Sequence, residues 1–250
     1  MLVSYEHVSK RYGAVVALRD VSFQLSAGEA VAFCGPNGSG KSTCLRLAIG
    51  LIQPTEGRVT VLGGDPSRDW AMKRNIGYAG DSQDLIQELT VEELLYYVGN
   101  TRAKSSSMDA EIGWLLNTFQ LTSKRGEPIR NLSDGMRKKV LLVQALIGSP
   151  RLLILDEPTS GLDLEAQSRC AALLTERMRN GTSLLMGTHD LRFLSHMRPR
   201  MIGLSEGGIL ADGGYADLLA KYGCDGTEEL FSKLWTGSLL GAIPPASSIG

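Results

Sequence analysis

Apolar positions along this chain follow two rhythms. Over residues 2–63 they come in short runs: LVSYEHV and VSFQL alternate, AVAF at 30–33 is continuous, and GRVTVLG at 57–63 alternates again. Alternation predicts strands covered on one face, and a short unbroken run predicts a strand buried on both. NIGYAG at 75–80 adds another. From about 90 to 147 the spacing lengthens to that of helices. Thr90 with Glu93 makes a capping box for VEELLYYVG; DAEIGWLLNTFQL and DGMRKKVLLVQALIG follow. RLLILDEP at 151–158 and TSLLMGTHD at 182–190 return to buried strands, with the amphipathic helix EAQSRCAALLTERMRN between them. RMIGLSEGGIL predicts an edge pair. Strands alternating with helices predict an α/β fold, a mostly parallel sheet covered by helices. The middle stretch, roughly 85–150, is expected to be an inserted helical subdomain.

Composition narrows the partners more than the fold. At 250 residues there is enough chain for one large domain or two small ones with a substantial core. The formal net charge of -1 leaves no basic field for nucleic acid. No stretch has the apolar length to span a bilayer, and MLVSYEHVSKRYG meets charge at Glu6 without a signal-peptide core. The expectation is a cytoplasmic protein. Cysteines 34, 44, 170 and 224 lack C-x-x-C spacing and the three histidines do not cluster with them. They are expected to be buried reduced thiols, with no cysteine–histidine metal site. Residues 234–250 carry no charge, hold two prolines and three serines, and read as a loose tail.

Chemistry enters at GPNGSGKST, residues 35–43, directly after the AVAF run. Strand, glycine loop and helix form the setting in which G-x-x-x-x-G-K-[ST] cradles a phosphate. Glycines let backbone N–H groups turn inward toward an anion, and the helix N-terminus adds positive partial charge. Lys41 would reach the β and γ phosphates, and the Ser42 hydroxyl would ligate Mg²⁺. At 152–156, LLILD is an apolar strand ending in a carboxylate, and parallel sheets gather ligands at the carboxyl ends of their strands. Asp156 would then help hold Mg²⁺, and Glu157 would accept a proton from an attacking water.

The absence of N-K-x-D disfavours a GTPase. NLSDGMRKK, 131–139, offers a second anion site: Ser133 caps a helix and Gly135 permits close backbone approach. If two such helix ends cannot reach one phosphate within a chain, the second serves a partner's nucleotide.

In order and spacing these segments resemble the ATPase subunit of an ATP-binding cassette (ABC) transporter over about residues 2–222. GPNGSGKST resembles the phosphate loop, LSDGM the signature LSGGQ, LLILDEPTSGLD the metal-binding strand with its D-loop, and THD at 188–190 the switch-histidine segment. The resemblance implies a phosphate-loop NTPase (RecA-like) core, ATP and Mg²⁺ as cofactors, and a head-to-tail dimer, homodimeric or with a paralogous subunit. Two ATPs would be sandwiched between each phosphate loop and the opposing signature. It implies that the loop, Gly35, Pro36, Asn37, Gly38, Ser39, Gly40, Lys41, Ser42 and Thr43, binds phosphates and Mg²⁺. Ser133 and Gly135 would contact the other subunit's ATP. Tyr12 would stack on adenine, His189 bond the γ-phosphate, and Asp163 couple the two sites, while His7 and His196 stay structural.

Two positions depart from the family pattern. Asp134 replaces a glycine in the signature; its side chain is expected to point away from the triphosphate. In the Q-loop, an ungapped count from IGY to LTV places Asp81, not Gln83, at the glutamine position, beside the metal. Asp81, Met136 and TEELFSKLWTG at 227–237 resemble a branch of bacterial exporter ATPases that pair with a separate six-helix permease. The expectation is therefore an ATPase peripheral to the inner face of the cell membrane through its permease, residues 223–250 forming a short helix and then the loose tail. The alternative is a soluble ABC ATPase acting on nucleic acid or the ribosome; the single cassette without a basic stripe or long arm weighs against it.

Overall fold

Three all-buried strands explain why the middle of the chain folds as it does. The computed structural model describes residues 1–102 and 107–236. In it β3 (Ala30–Cys34) and β7 (Ser183–Gly187) are covered on both faces, and β6 (Leu152–Asp156) is covered except at its terminal carboxylate. Runs without alternation require layers on both sides, and the side chains divide by parity. Ala32, Leu153, Leu155 and Leu184 enter one core; Val31, Phe33, Leu152, Ile154 and Leu185 enter the other. With β5 (Ile76–Ala79), β8 (Arg200–Ser205) and β9 (Gly208–Gly213) these strands make a six-stranded sheet in the order β5-β6-β7-β3-β8-β9. All neighbours run parallel except β8 and β9, the antiparallel edge pair expected from RMIGLSEGGIL.

The alternating segments of the first half do not join that sheet. β1 (Val3–Tyr12), β2 (Val15–Leu25) and β4 (Glu56–Val61) form a separate antiparallel sheet, order β2-β1-β4, whose apolar face closes the second core. β2 begins six residues earlier than the VSFQL run, because its first half, VVALRD, breaks the alternation: Val15 is exposed, Leu18 is buried, and Arg19 and Asp20 are both exposed. Tyr5 and Phe23 pack ring to ring at 4.6 Å in this layer, and Phe33 meets Phe23 edge-on at 5.0 Å.

The other core is helical. After α1 (Lys41–Ala48), the helices α2 (Val91–Arg102), α3 (Met108–Thr118) and α4 (Asp134–Leu146) fall between β5 and β6, where the sequence places its helical stretch. The Thr90–Glu93 capping box forms: the Glu93 carboxylate accepts from the Thr90 N–H at 2.8 Å, and the Thr90 hydroxyl accepts from the Glu93 N–H at 3.3 Å. The far end of α4 is closed by Arg102. Its guanidinium donates to the carbonyls of Gln144, Ala145 and Ile147 at 2.7, 3.0 and 2.9 Å, and to Ile76 of β5 at 3.0 Å. Burial pulls the Arg102 pKa down to about 10, still well above neutrality. A cation is favourable at carbonyls left over by a helix end.

α5 (Leu164–Arg179) crosses from β6 to β7 as expected. Then come α6 (Leu191–Met197), α7 (Tyr215–Tyr222) and α8 (Thr227–Phe231), of which sequence patterning gave only the last. The first two are barely two turns each, too short for a period to show. The tail departs from expectation at its start. Leu234 is buried, and Trp235 lies against Gly203 and donates its indole N–H to the Leu204 carbonyl at 2.9 Å. An uncharged segment here packs as a cap on the sheet; residues 237–250 lie outside the described residues. Cys34, Cys44 and Cys170 are buried and all four cysteines are free.

Candidate active site

β3 delivers the chain to its turn at Cys34, pressed between β8 and the β1–β2 hairpin. A Cβ on Gly35, φ 149°, would lie 2.5 Å from the Leu204 carbonyl oxygen, and one on Gly40, φ 111°, would lie 2.7 Å from a Leu18 methyl. The backbone needs glycine at both places. Lys41 is buried and folds back across the loop, donating to the carbonyls of Gly35 at 2.8 Å and Pro36 at 3.0 Å. Its ammonium holds the ring of backbone open from inside. No acidic residue occupies the first turn of α1, so the helix end keeps its positive partial charge. The buried Ser39 hydroxyl has no hydrogen-bond partner.

The end of β6 sits beside this loop. Asp156 Oδ1 is buried without a partner, and Ser42 lines the same cleft. Burial pushes the Asp156 pKa up and neighbouring Glu157 adds to the rise; Ser42 and Lys138 oppose it. A buried carboxylate oxygen left orphaned beside a hydroxyl is a donor pair short of its cation. Among the described residues no group of three or more histidines, cysteines or carboxylates is arranged for a metal. That fits Mg²⁺, which takes one or two protein oxygens and completes its shell with phosphates and water.

Glu157 follows with φ 47°, a left-handed backbone that turns its side chain away from the path of Asp156. Its Oε1 lies 2.7 Å from His189 Nδ1, and Oε2 accepts from the Thr188 hydroxyl at 3.1 Å and the His189 N–H at 3.4 Å. The segment after β7 thus holds this carboxylate in place. Asp190 anchors the segment in turn, accepting from Thr159 at 2.7 Å and capping α6.

A cleft of ≈ 370 Å³ is lined by Ser42, Arg46, Gly80, Asp81, Ser82, Asp134, Lys138, Asp156, Glu157, Ser160 and Gly161. Its first wall is the phosphate loop and β6. Its second wall is the segment after β5 and the start of α4. Asp81 lines it and Gln83 does not; Asp81 Oδ1 accepts from the Gln83 N–H at 3.0 Å. Asp134 is exposed at the rim, its carboxylate 3.6 Å from Arg137. Ser133 caps α4, accepting from the Met136 N–H at 3.3 Å, and a Cβ on Gly135 would come within 2.9 Å of the Gly161 carbonyl. Asp163 caps α5 through the Ala166 N–H at 2.8 Å and meets Lys139 at 3.1 Å; these bonds hold its carboxyl below the usual range.

Tyr12 stands apart. It ends β1 on the hairpin, about half exposed, with the Lys10 ammonium 5.1 Å from its ring. The side chains that sequence reasoning missed are Lys138, Lys139 and Thr188. No local signal marks the lysines, since RKK on a helix reads the same whether or not partners face it.

Residues 18–160 match the family described as ABC transporter. The Nod factor export ATP-binding protein I of Rhizobium johnstonii is 36% identical over 208 residues, covering 82% of this chain and 67% of that protein. The protein of the same description from Bradyrhizobium diazoefficiens is 34% identical over 228 residues, covering 90% and 74%. A solved ATP-binding subunit of an ABC transporter superposes with a TM-score of 0.86 at 30% identity, covering 94% of this chain and 99% of that one. A dimeric ATP-binding cassette in a post-hydrolysis state bound to ADP and Pi superposes at 0.77 with 26% identity, covering 86% and 99%. The chain belongs to the ABC transporter family, as an ATP-binding and ATP-hydrolysing subunit.

Proposed function

We propose that this subunit drives an exporter: it binds Mg–ATP at the phosphate loop, closes on a second ATPase subunit, hydrolyses the nucleotide and so moves a separate membrane permease. The observation that carries this is the convergence on one cleft of Ser42, the orphaned Asp156 oxygen and a Glu157 already held by His189 and Thr188. Loop N–H groups from Gly35 to Thr43 bind phosphate oxygens, and Lys41 leaves the Gly35 and Pro36 carbonyls to meet them. Ser42 and Asp156 would hold Mg²⁺, and Asp81 lines the second wall of the same cleft. The ion would neutralise charge on the phosphate oxygens and polarise the γ-phosphoryl group. Glu157 orients the attacking water and accepts its proton; His189, sharing a hydrogen bond with that base, senses the γ-phosphate.

Tyr12 stacks on adenine, which requires the nucleotide to extend along the hairpin away from the cleft. Ser133 and Gly135 act on the nucleotide of the opposing subunit, and Asp163, tied to α4 through Lys139, couples the two sites. Residues 1–222 form the ATPase domain, with about 85–150 as its helical subdomain, and residues 223–236 pack against it through Leu234 and Trp235. Export and a cytoplasmic location on the inner membrane face rest on the export function that the relatives carry in their names. Among the described residues no helix is long and apolar enough to cross a membrane; in this reading the path belongs to the permease. No observation favours a soluble switch acting on nucleic acid or ribosomes.

Glu157→Gln tests the assignment. The amide keeps the shape and loses the base, so ATP affinity should stay within about twofold while turnover falls at least about a hundredfold. An ATP-bound dimer should accumulate on size exclusion. Parental turnover in E157Q would remove Glu157 from its role.

A further inference from the structure

Lys138 occupies the second turn of α4, a position with no part in the mechanism above. Its ammonium donates to the Asp156 carbonyl at 2.7 Å and the Gly80 carbonyl at 3.1 Å, joining the end of β6 to the segment that carries Asp81. It therefore belongs to this chain's own cleft, although Ser133, one turn earlier, is assigned to the opposing nucleotide. The cleft holds four carboxylates, Asp81, Asp134, Asp156 and Glu157, against two cations, Arg46 and Lys138. A triphosphate adds several more negative charges. In such a place even a half-buried cation is worth more than one on an open surface.

The cost of placing it there is visible. Burial lowers the Lys138 pKa, while Asp156, Glu157 and Asp81 oppose the fall, in that order. A glutamine amide stops one bond short of the lysine nitrogen, so lysine supplies both the reach to these two carbonyls and a positive charge among the carboxylates.

We propose that Lys138 is a positioning residue for hydrolysis in its own subunit's site, clamping Gly80 to the end of β6 and supplying the cation that lets Asp81, Asp156 and Glu157 stand together beside a triphosphate. Helix α4 then serves both nucleotides of a dimer: its N-terminus the opposing one, its second turn the near one. The inference rests on Asp156 and Glu157 having the roles given above.

The test uses the full chain with K138Q, K138R and the pair D81Q/K138Q. A fluorescent ATP analogue is titrated with Mg²⁺ and with EDTA, and kcat and KM are measured separately. Metal-free ATP carries more negative charge than Mg–ATP, so a missing cation should be felt most in EDTA. K138Q is expected to weaken metal-free binding about fivefold and Mg–ATP binding less than about twofold, at effective dielectric constants of protein clefts. Its kcat should fall about tenfold with KM nearly constant, and K138R should recover at least about half of the parental kcat. In D81Q/K138Q one carboxylate leaves with one cation, so metal-free affinity should return to within about twofold of the parent. Equal losses in Mg²⁺ and EDTA, or additive losses in the pair, would overturn the proposal. Should K138Q not fold, K138R decides: unchanged metal-free affinity supports the charge role, and a tenfold loss with the charge retained ends it. E157Q separates the two levels of argument. A dead E157Q beside a normal K138Q rejects only the lysine; an active E157Q rejects the site on which it depends.

Discussion

The two walls of the cleft are built from different materials. The phosphate-loop wall is backbone: glycines with φ values that L side chains resist, close approaches of 2.5 and 2.7 Å, and a lysine that fills the loop with its own ammonium. The opposite wall is side chain: Asp81 turned back on the Gln83 N–H, Lys138 bridging two carbonyls, and Asp134 3.6 Å from Arg137. One wall is fixed by covalent geometry and can hardly move without unfolding. Ion pairs and single hydrogen bonds hold the other, each worth about 0.5–3 kcal/mol and replaceable by a ligand's own contacts. A fixed wall for phosphate and an adjustable wall for the rest suit a site that must close and reopen each cycle.

The sharpest break of this comparison comes from separating the walls between chains. Ser133→Arg blocks the N-terminus of α4, and Lys41→Ala empties the loop. Each variant alone should lose at least about a hundredfold in hydrolysis, since phosphoryl transfer depends on both charge stabilisation and positioning. Mixed together they can form dimers with one intact composite site, and ATPase activity should reappear. Full activity of S133R alone would place the second wall outside catalysis.

Smaller, and aimed at what holds the adjustable wall, is Arg102→Ala. It strips charged donors from the carbonyls of Gln144, Ala145, Ile147 and Ile76. Breaking such a buried clamp should cost about 3 kcal/mol of stability, read from denaturant midpoints. A shift under about 0.5 kcal/mol would show that the α4 end is held by apolar packing instead.

Sequence pattern reached the two walls unequally, for the same reason that they differ. GPNGSGKST is legible because a tight anion-binding turn admits few residue types at fixed spacing. Asp156 is legible because an acid closing a buried apolar strand marks the carboxyl edge of a parallel sheet, where ligands gather. The parallel core was legible too, since AVAFC, LLILD and SLLMG leave no polar face. Lys138 and Lys139 were not: a helical RKK reads as solvated surface until the acids facing it are known. Membership of the antiparallel sheet was hidden as well. GRVTVLG alternates like any one-sided strand, and pairing with β1, some fifty residues earlier, leaves no local mark.

Smallest is the effect of Asp81→Gln. It exchanges a charge for a dipole on the adjustable wall and keeps an acceptor for the Gln83 N–H. Hydrolysis should change by only about twofold, and metal-free ATP should bind slightly tighter, since one of four crowding carboxylates is gone. A loss beyond tenfold, measured by steady-state ATPase, would make the carboxylate indispensable and the wall less adjustable than its bonding implies.

The register of β3 also sets a clock on biosynthesis. Its two neighbours, β7 and β8, are Ser183–Gly187 and Arg200–Ser205, and Gly35 is seated against the Leu204 carbonyl. A ribosome that has just finished the phosphate loop must add about 140 residues before the first of those strands, β7, begins, roughly 7–28 s at ordinary elongation rates. Throughout that interval β3, apolar on both faces, has neither of its strand partners, whereas the β1–β2 hairpin can pair at once. The most recognisable segment of the chain is thus among the last to be assembled, and its nascent form is a natural client for chaperones that bind short apolar strands.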